Sequence, residues 1–163
     1  MAIVHVRIDE RLIHGQVAMV WTNTVGASRI IVANDEAVKD DMIIAALKIS
    51  KPAGVKLSIL SRNKAEEKIG NGAYDDDRVF LIFQNIKDAA YCVEKGLKLS
   101  HINVGNVSQK HGGVPIKKSV ALTQEDIELI NGMLQKGIRI TAQMLPTESD
   151  QSIAEYIKAA AKE

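Results

Sequence analysis

The sequence alternates short β-branched runs with longer segments of helical period, and one of those runs, VFLIF at residues 79–83, is apolar at every position. A strand with no polar face has to be covered on both sides, and a sheet with helices on each face provides that cover. The alternation itself is the pattern of strand–helix–strand units, whose strands run parallel. The expected fold is therefore α/β: one domain over residues 1–163, with an open, mostly parallel β-sheet and helices on both faces. A chain of 163 residues is long enough to bury one such core. Because aromatic residues are only 4% of it, that core has to be built mainly from Val, Ile, Leu and Ala.

Hydrophobic period places strands at Ile3 to Ile8, Ser28 to Ala33, Lys56 to Leu60, Arg78 to Phe83, His101 to Val104 and Ile138 to Met144, with a short one at Lys117 to Leu122. Helices are expected from Gly15 to Val25, Ala37 to Ile49, Lys64 to Ile69 and Ile86 to Glu94. Two more run from the Thr123 cap to Gln135 and from Asp150 to Ala160. In the first helix Val17, Val20, Trp21 and Val25 recur at three and four; in the second, Met42, Ala45, Ala46 and Ile49 mark the expected buried stripe. GNVSQKHGGVP reads as a glycine-rich loop.

Several classes of function are disfavoured at once. With 21 basic against 20 acidic residues the formal charge is +1, so nucleic acid is not the expected partner. No apolar run approaches the roughly 18 to 20 residues that cross a bilayer, and MAIVHVRIDE carries charge too early for a signal peptide. The expected location is the cytoplasm. Cys92 is the only cysteine, and His5, His14, His101 and His111 include no pair spaced to share a helix face, so neither a disulfide nor a metal is expected. No GxGxxG follows the first strand and no GxxxxGK[ST] occurs, which removes the usual nucleotide sites. No cofactor is expected.

Ligands of an open parallel sheet gather at the carboxyl ends of its strands, beside the point where strand order reverses. Those ends hold Asp9 to His14, Asn34 and Asp35, Ser61 and Arg62, Gln84 and Asn85, and Gly105 and Asn106. The segment RIDERLIHGQV puts His14 and Gly15 at the mouth of the first helix. A helix start carries unpaired N–H groups and partial positive charge, both suited to an anion such as a phosphoryl group. Gly15 lacks the Cβ that would keep a phosphoryl oxygen from the backbone, and Arg11 can fork onto two such oxygens. Neutral imidazole is a competent nucleophile toward phosphorus, and its N–P bond stays reactive. Asp9 either orients the imidazole, holds Arg11 or caps the turn, and the residues alone leave these open.

VRIDERLIHGQVAMVWT, together with SRIIVANDE and HINVGN, resembles the enzyme IIB component of the mannose, fructose and sorbose family of the bacterial sugar phosphotransferase system. The likeness spans nearly the whole chain, and RLIHGQV is its most specific part. It implies that His14 is transiently phosphorylated by a phosphohistidine of enzyme IIA, and that the group then passes to sugar entering through the membrane components IIC and IID. It also implies that Arg11, Gly15 and Gln16 bind the phosphoryl group, with Asp9, Asp35 and Asn106 supporting. The donor should be a separate polypeptide, the protein should associate peripherally with the membrane permease, and a homodimer would fit the relatives.

Other chemistry-bearing residues have plainer readings. Cys92 lies inside a helix with nothing to lower its pKa and reads as core. His5 reads as a buried, hydrogen-bonded strand residue, Arg7 as a structural ion-pair partner with support of Asp9 or the phosphoryl group as the alternative, Trp21 as helix packing, His111 as a loop side chain with contact to a partner or substrate as the alternative, and Lys117 and Lys118 as a solvated edge. A phosphohistidine phosphatase or mutase is the nearest rival, but it would want a second cation on the phosphate, for which only Arg62 offers itself. A receiver-type regulator would need an acceptor Asp after the third strand, where Ser61 and Arg62 stand.

Overall fold

The computed structural model describes residues 2–109 and 112–161, so the reading of His111 lies outside the described residues. Six strands form a fully parallel sheet: β1 (Ile3–Asp9), β2 (Arg29–Ala33), β3 (Lys56–Leu60), β4 (Val79–Phe83) and β5 (His101–Asn106), with a further strand, Arg139–Thr141, on its edge. Between β5 and that edge strand, β6 (Val114–Lys117) and β7 (Val120–Leu122) make an antiparallel hairpin, so the edge strand is β8. The helices are α1 (Gly15–Val25), α2 (Asp41–Ser50), α3 (Arg62–Gly70), α4 (Ile86–Glu94), α5 (Gln124–Gln135) and α6 (Ile153–Ala161). Among the described residues no helix is long and apolar enough to cross a membrane.

The sheet order is β3-β2-β4-β1-β5-β8. β4, the all-apolar run, has no exposed residue: Phe80 and Ile82 join one core cluster while Val79, Leu81 and Phe83 join the other. Helices α1 and α2 cover the first face, with Ala18, Trp21 and Leu47 buried there; α3 to α6 cover the second through Ala65, Cys92, Ile130 and Ile153. From β1 the chain turns towards β2 on one side, and from β5 it proceeds towards β8 on the other. The switch point therefore lies between the carboxyl ends of β1 and β5, which is where such sheets bind ligands.

Local chemistry sets most element ends. Asp40, Ser61, Asn85 and Thr123 each accept a first-turn backbone N–H at the start of α2, α3, α4 and α5, and Thr123 with Asp126 completes a capping box. Gly26 ends α1 at φ 66°, and Arg78 donates to the carbonyls of Val25 and Gly26, a cation on the last carbonyls of the helix.

Four expectations need correction. The stripe Met42, Ala45, Ala46, Ile49 faces solvent, with Met42 82% and Ile49 85% exposed, whereas Leu47 is buried. The reason is that Asn34 Oδ1 accepts from Ala37 N and holds a separate 3-10 turn (Ala37–Lys39), so α2 starts later, at the Asp40 cap. DMIIAALKIS is apolar around most of its circumference, and the sheet takes the Ile43 and Leu47 side. Val20 likewise points outward at 40% exposure. The glycine-rich loop is shortened from both ends, because β5 runs on to Asn106 and Val114–Lys117 forms half of the hairpin. The last strand stops at Thr141: Gln143 turns its backbone N–H onto Asn103 Oδ1 (2.9 Å), while its carbonyl accepts from Asn103 Nδ2 (2.9 Å) and Arg7 (3.1 Å).

Candidate active site

β1 ends in a turn closed twice by one residue. The Asp9 carbonyl accepts from Leu12 N (2.9 Å), and Asp9 Oδ1 accepts from Arg11 N (2.9 Å). Leu12 is forced to φ 62°, a left-handed conformation that costs about 1–2 kcal/mol in a residue with a Cβ. Burial of Leu12 and Ile13, at 5% and 3% exposure in the core under α1, offsets that cost. The next residue, His14, is extended (φ −134°, ψ 105°) and occupies the N-cap position of α1.

That helix start is unlike the others just described. His14 makes no side-chain cap, and the first turn of α1 holds no acidic residue, so its leading N–H groups have no side-chain acceptor. Gly15 has φ 55° and Gln16 is exposed; a Cβ on Gly15 would meet no protein atom within 4 Å. Arg11 is exposed, and its guanidinium has no hydrogen bond or ion pair among the described residues. His14 is half-buried, with Nε2 sealed from solvent and unpartnered. Arg11, His14, Gly15 and Gln16 thus share one turn and helix start, with Arg11 and Gln16 exposed and open space beside Gly15.

The supporting residues divide. Asp9 is 1% exposed, and its second oxygen takes Arg7 Nε (3.2 Å) and Nη2 (3.1 Å). Of the alternatives for Asp9, the geometry selects capping of the turn, with the ion pair going to Arg7. Asn106 borders the turn directly: it is the β5 partner of Asp9, and its carbonyl accepts from Glu10 N (2.9 Å). Asp35 sits in the turn after β2, on the far side of β4 from β1, and its carboxylate is engaged by Arg62 through N (2.9 Å), Nε (3.1 Å) and Nη2 (3.1 Å). The Arg62 backbone N–H, aided by its guanidinium, holds Asp35 below the usual carboxylate range. None of its side-chain bonds reaches residues 9–16.

Gln84 and Glu10, which the sequence marks only as strand-end residues without a role, tie these parts together. Gln84 accepts from Asn34 Nδ2 (3.0 Å) and donates to the Glu10 carbonyl (3.4 Å). The Glu10 carboxylate accepts from Ser108 N (3.2 Å) and Oγ (3.1 Å), fastening the β5–β6 loop to the turn after β1. A groove of about 410 Å³ opens beside them, lined by Glu10, Gln84, Asn85, Lys87 and Thr123. Their positions after β1, β4 and β7 were the only sequence signal.

The remaining candidates are structural. Arg62 also pairs with Asp88 (3.4 Å) and lies 4.0 Å from the centroid of the Tyr91 ring, so it is not a free second cation. Cys92 is fully buried, and burial pushes its thiol up to about 12. Trp21 packs in the core and donates from Nε1 to the Met144 carbonyl (2.9 Å). His5 is buried as expected but not hydrogen-bonded at Nε2; it stacks on Trp21 at 4.3 Å instead. Lys117 is not a solvated edge, since it bonds the Ala142 carbonyl and Glu148, both at 2.8 Å. No group of three or more His, Cys, Asp or Glu suited to a metal occurs among the described residues.

Residues 3–163 match the family model described as the PTS system sorbose subfamily IIB component. The chain is 33% identical over 153 residues to the sorbose-specific EIIB component of Lacticaseibacillus casei, covering 94% of this chain and 93% of that one. It is also 33% identical over 151 residues to the mannose-specific EIIAB component of Escherichia coli (strain K12), covering 93% of this chain and 47% of the relative. The crystal structure of the IIBSor domain of the sorbose permease from Klebsiella pneumoniae superposes with a TM-score of 0.92 at 31% identity, over 98% of each chain. With the uncapped, cation-flanked helix start placed at the switch point of a matching fold, the chain belongs to the sorbose subfamily of PTS system IIB components and is a phosphotransferase of sugar transport.

Proposed function

We propose that His14 is the phosphoryl acceptor, and that the protein carries the group from enzyme IIA to a sugar entering through the membrane components IIC and IID. The observation that carries this reading is the uncapped start of α1, where half-buried His14 follows an exposed Arg11 whose guanidinium has no partner among the described residues. Since Nε2 is shielded from solvent, the attacking atom in this reading is the other ring nitrogen, Nδ1. Nδ1 attacks phosphorus in line, the donor N–P bond breaks, and its electron pair returns to the donor imidazole. A sugar hydroxyl then attacks phosphorus and releases its proton to solvent as the O–P bond forms, while the N–P pair returns to Nδ1. Exchange between two imidazoles is close to balanced in energy, so positioning and charge stabilisation suffice.

In this scheme Arg11 and the N–H groups of Gly15 and Gln16 hold the phosphoryl oxygens. Asp9 fixes the turn and Asn106 forms its wall, while Asp35 acts only at a distance through Arg62. Residues 3–163 serve as an IIB domain that works in the cytoplasm against the membrane permease, with a homodimer as its assembly. The reading is tested by mixing the protein with IIA carrying radioactive phosphate. Wild type and Cys92→Ala should take up acid-labile label and His14→Ala should take up none; label that survives loss of His14 contradicts the proposal.

A further inference from the structure

Arg7 is a guanidinium enclosed in the core at 1% exposure, an arrangement that costs several kcal/mol unless its donors are engaged. They are engaged on two sides. Nε and Nη2 both reach Asp9 Oδ2, while Nη1 donates to the Gln143 carbonyl (3.1 Å) and Nη2 to Met144 Sδ (3.5 Å). Gly105 of the neighbouring strand lies flat against it, and a Cβ there would overlap the guanidinium. Since Arg7 occupies one oxygen of Asp9, the other is left for Arg11 N, the bond that closes the acceptor turn.

We propose that Arg7 is a positioning residue for phosphoryl transfer: anchored on the segment after β8, it divides the two oxygens of Asp9 and so fixes the turn that presents Arg11 and His14. The inference rests on the reading of His14 as acceptor. Arg7 touches neither the imidazole nor the phosphoryl group; it acts through Asp9. Lysine at this position would keep the charge but lose the planar fork that spans Asp9 and Gln143 together.

Two variants separate this role from plain stability. Arg7→Lys removes the fork. Gly105→Ala displaces the guanidinium while Arg7, Asp9 and Arg11 stay chemically intact. Arg29→Lys, at the ion pair with Asp77 (2.8 Å) near the amino ends of the strands, serves as control. The readouts are amide hydrogen exchange at Arg11 in the unphosphorylated protein and the maximal transfer rate from phosphorylated IIA per folded molecule. In both variants Arg11 exchange should quicken about tenfold or more, and transfer should slow about 10- to 100-fold with the half-saturating IIA concentration unchanged. Arg29→Lys should move neither. Unaltered Arg11 exchange, or wild-type transfer per folded molecule in both variants, overturns the proposal. A wild type that takes no phosphoryl group sinks the reading of His14, and Arg11 exchange then still decides whether Arg7 sets the turn.

Discussion

Leu12 and Gly15 bracket His14 with two left-handed backbone conformations, at φ 62° and 55°. Leu12 is held there by its buried side chain, whereas Gly15 faces open space. A Gly15→Ala change therefore clashes with no protein atom and should cost only the conformational penalty, about 1–2 kcal/mol. Urea denaturation measures this, and an unchanged midpoint would mean that the backbone relaxes at no cost. His5 gives a second prediction at this scale. Burial first, then the nearby His101 and Arg7, lower its pKa to about 3, whereas the unfolded chain takes up that proton near about 6.5. Stability from the neutral ring is thus complete above the unfolded value and is lost as pH falls from there towards the folded one, at about 1.4 kcal/mol per pH unit. His101, also lowered by burial and by Arg139, adds to the loss in the upper part of that window. Urea midpoints taken across the window should fall less steeply in His5→Leu than in wild type; parallel slopes would contradict the assignment.

At the scale of elements, α2 tests how sequence period becomes packing. Met42→Gln and Ile49→Gln, on its exposed side, should change stability by less than about 0.5 kcal/mol, while Leu47→Ala should cost about 2–5 kcal/mol. Urea denaturation of the three variants distinguishes the observed face from the stripe that spacing alone suggests, which predicts the reverse. Legibility follows the same logic. The bounds of α1 and α4 were readable because each helix follows a polar strand end and stops just before a glycine, Gly26 or Gly96. The face of α2 was not, because an almost wholly apolar helix gives its period nothing to contrast with. The early end of β8 was also hidden, since Gln143 leaves the ladder for partners on Asn103 and Arg7, both far away in sequence.

The whole molecule places chemistry by topology. β1 and β5 send the chain to opposite sides of the sheet, and the turn that carries Arg11 and His14 lies in the crevice between their ends. His14, Arg11, Gly15 and Gln16 could be proposed from sequence because one contiguous segment carries them. The brace was less so, since Arg7, Gly105 and Gln143 meet only after β1, β5 and β8 align, and Gln84 and Ser108 reach Glu10 from other strand ends. With a formal charge of +1 the molecule has little net charge for long-range steering, so recognition falls to local features around this turn. The most direct test of the central claim is ³¹P–¹⁵N NMR on protein labelled with ¹⁵N-histidine and phosphorylated by IIA. A one-bond coupling to Nδ1 of His14, absent in His14→Ala, is the expected result; coupling to another histidine, or phosphorus bound without any nitrogen coupling, would contradict it.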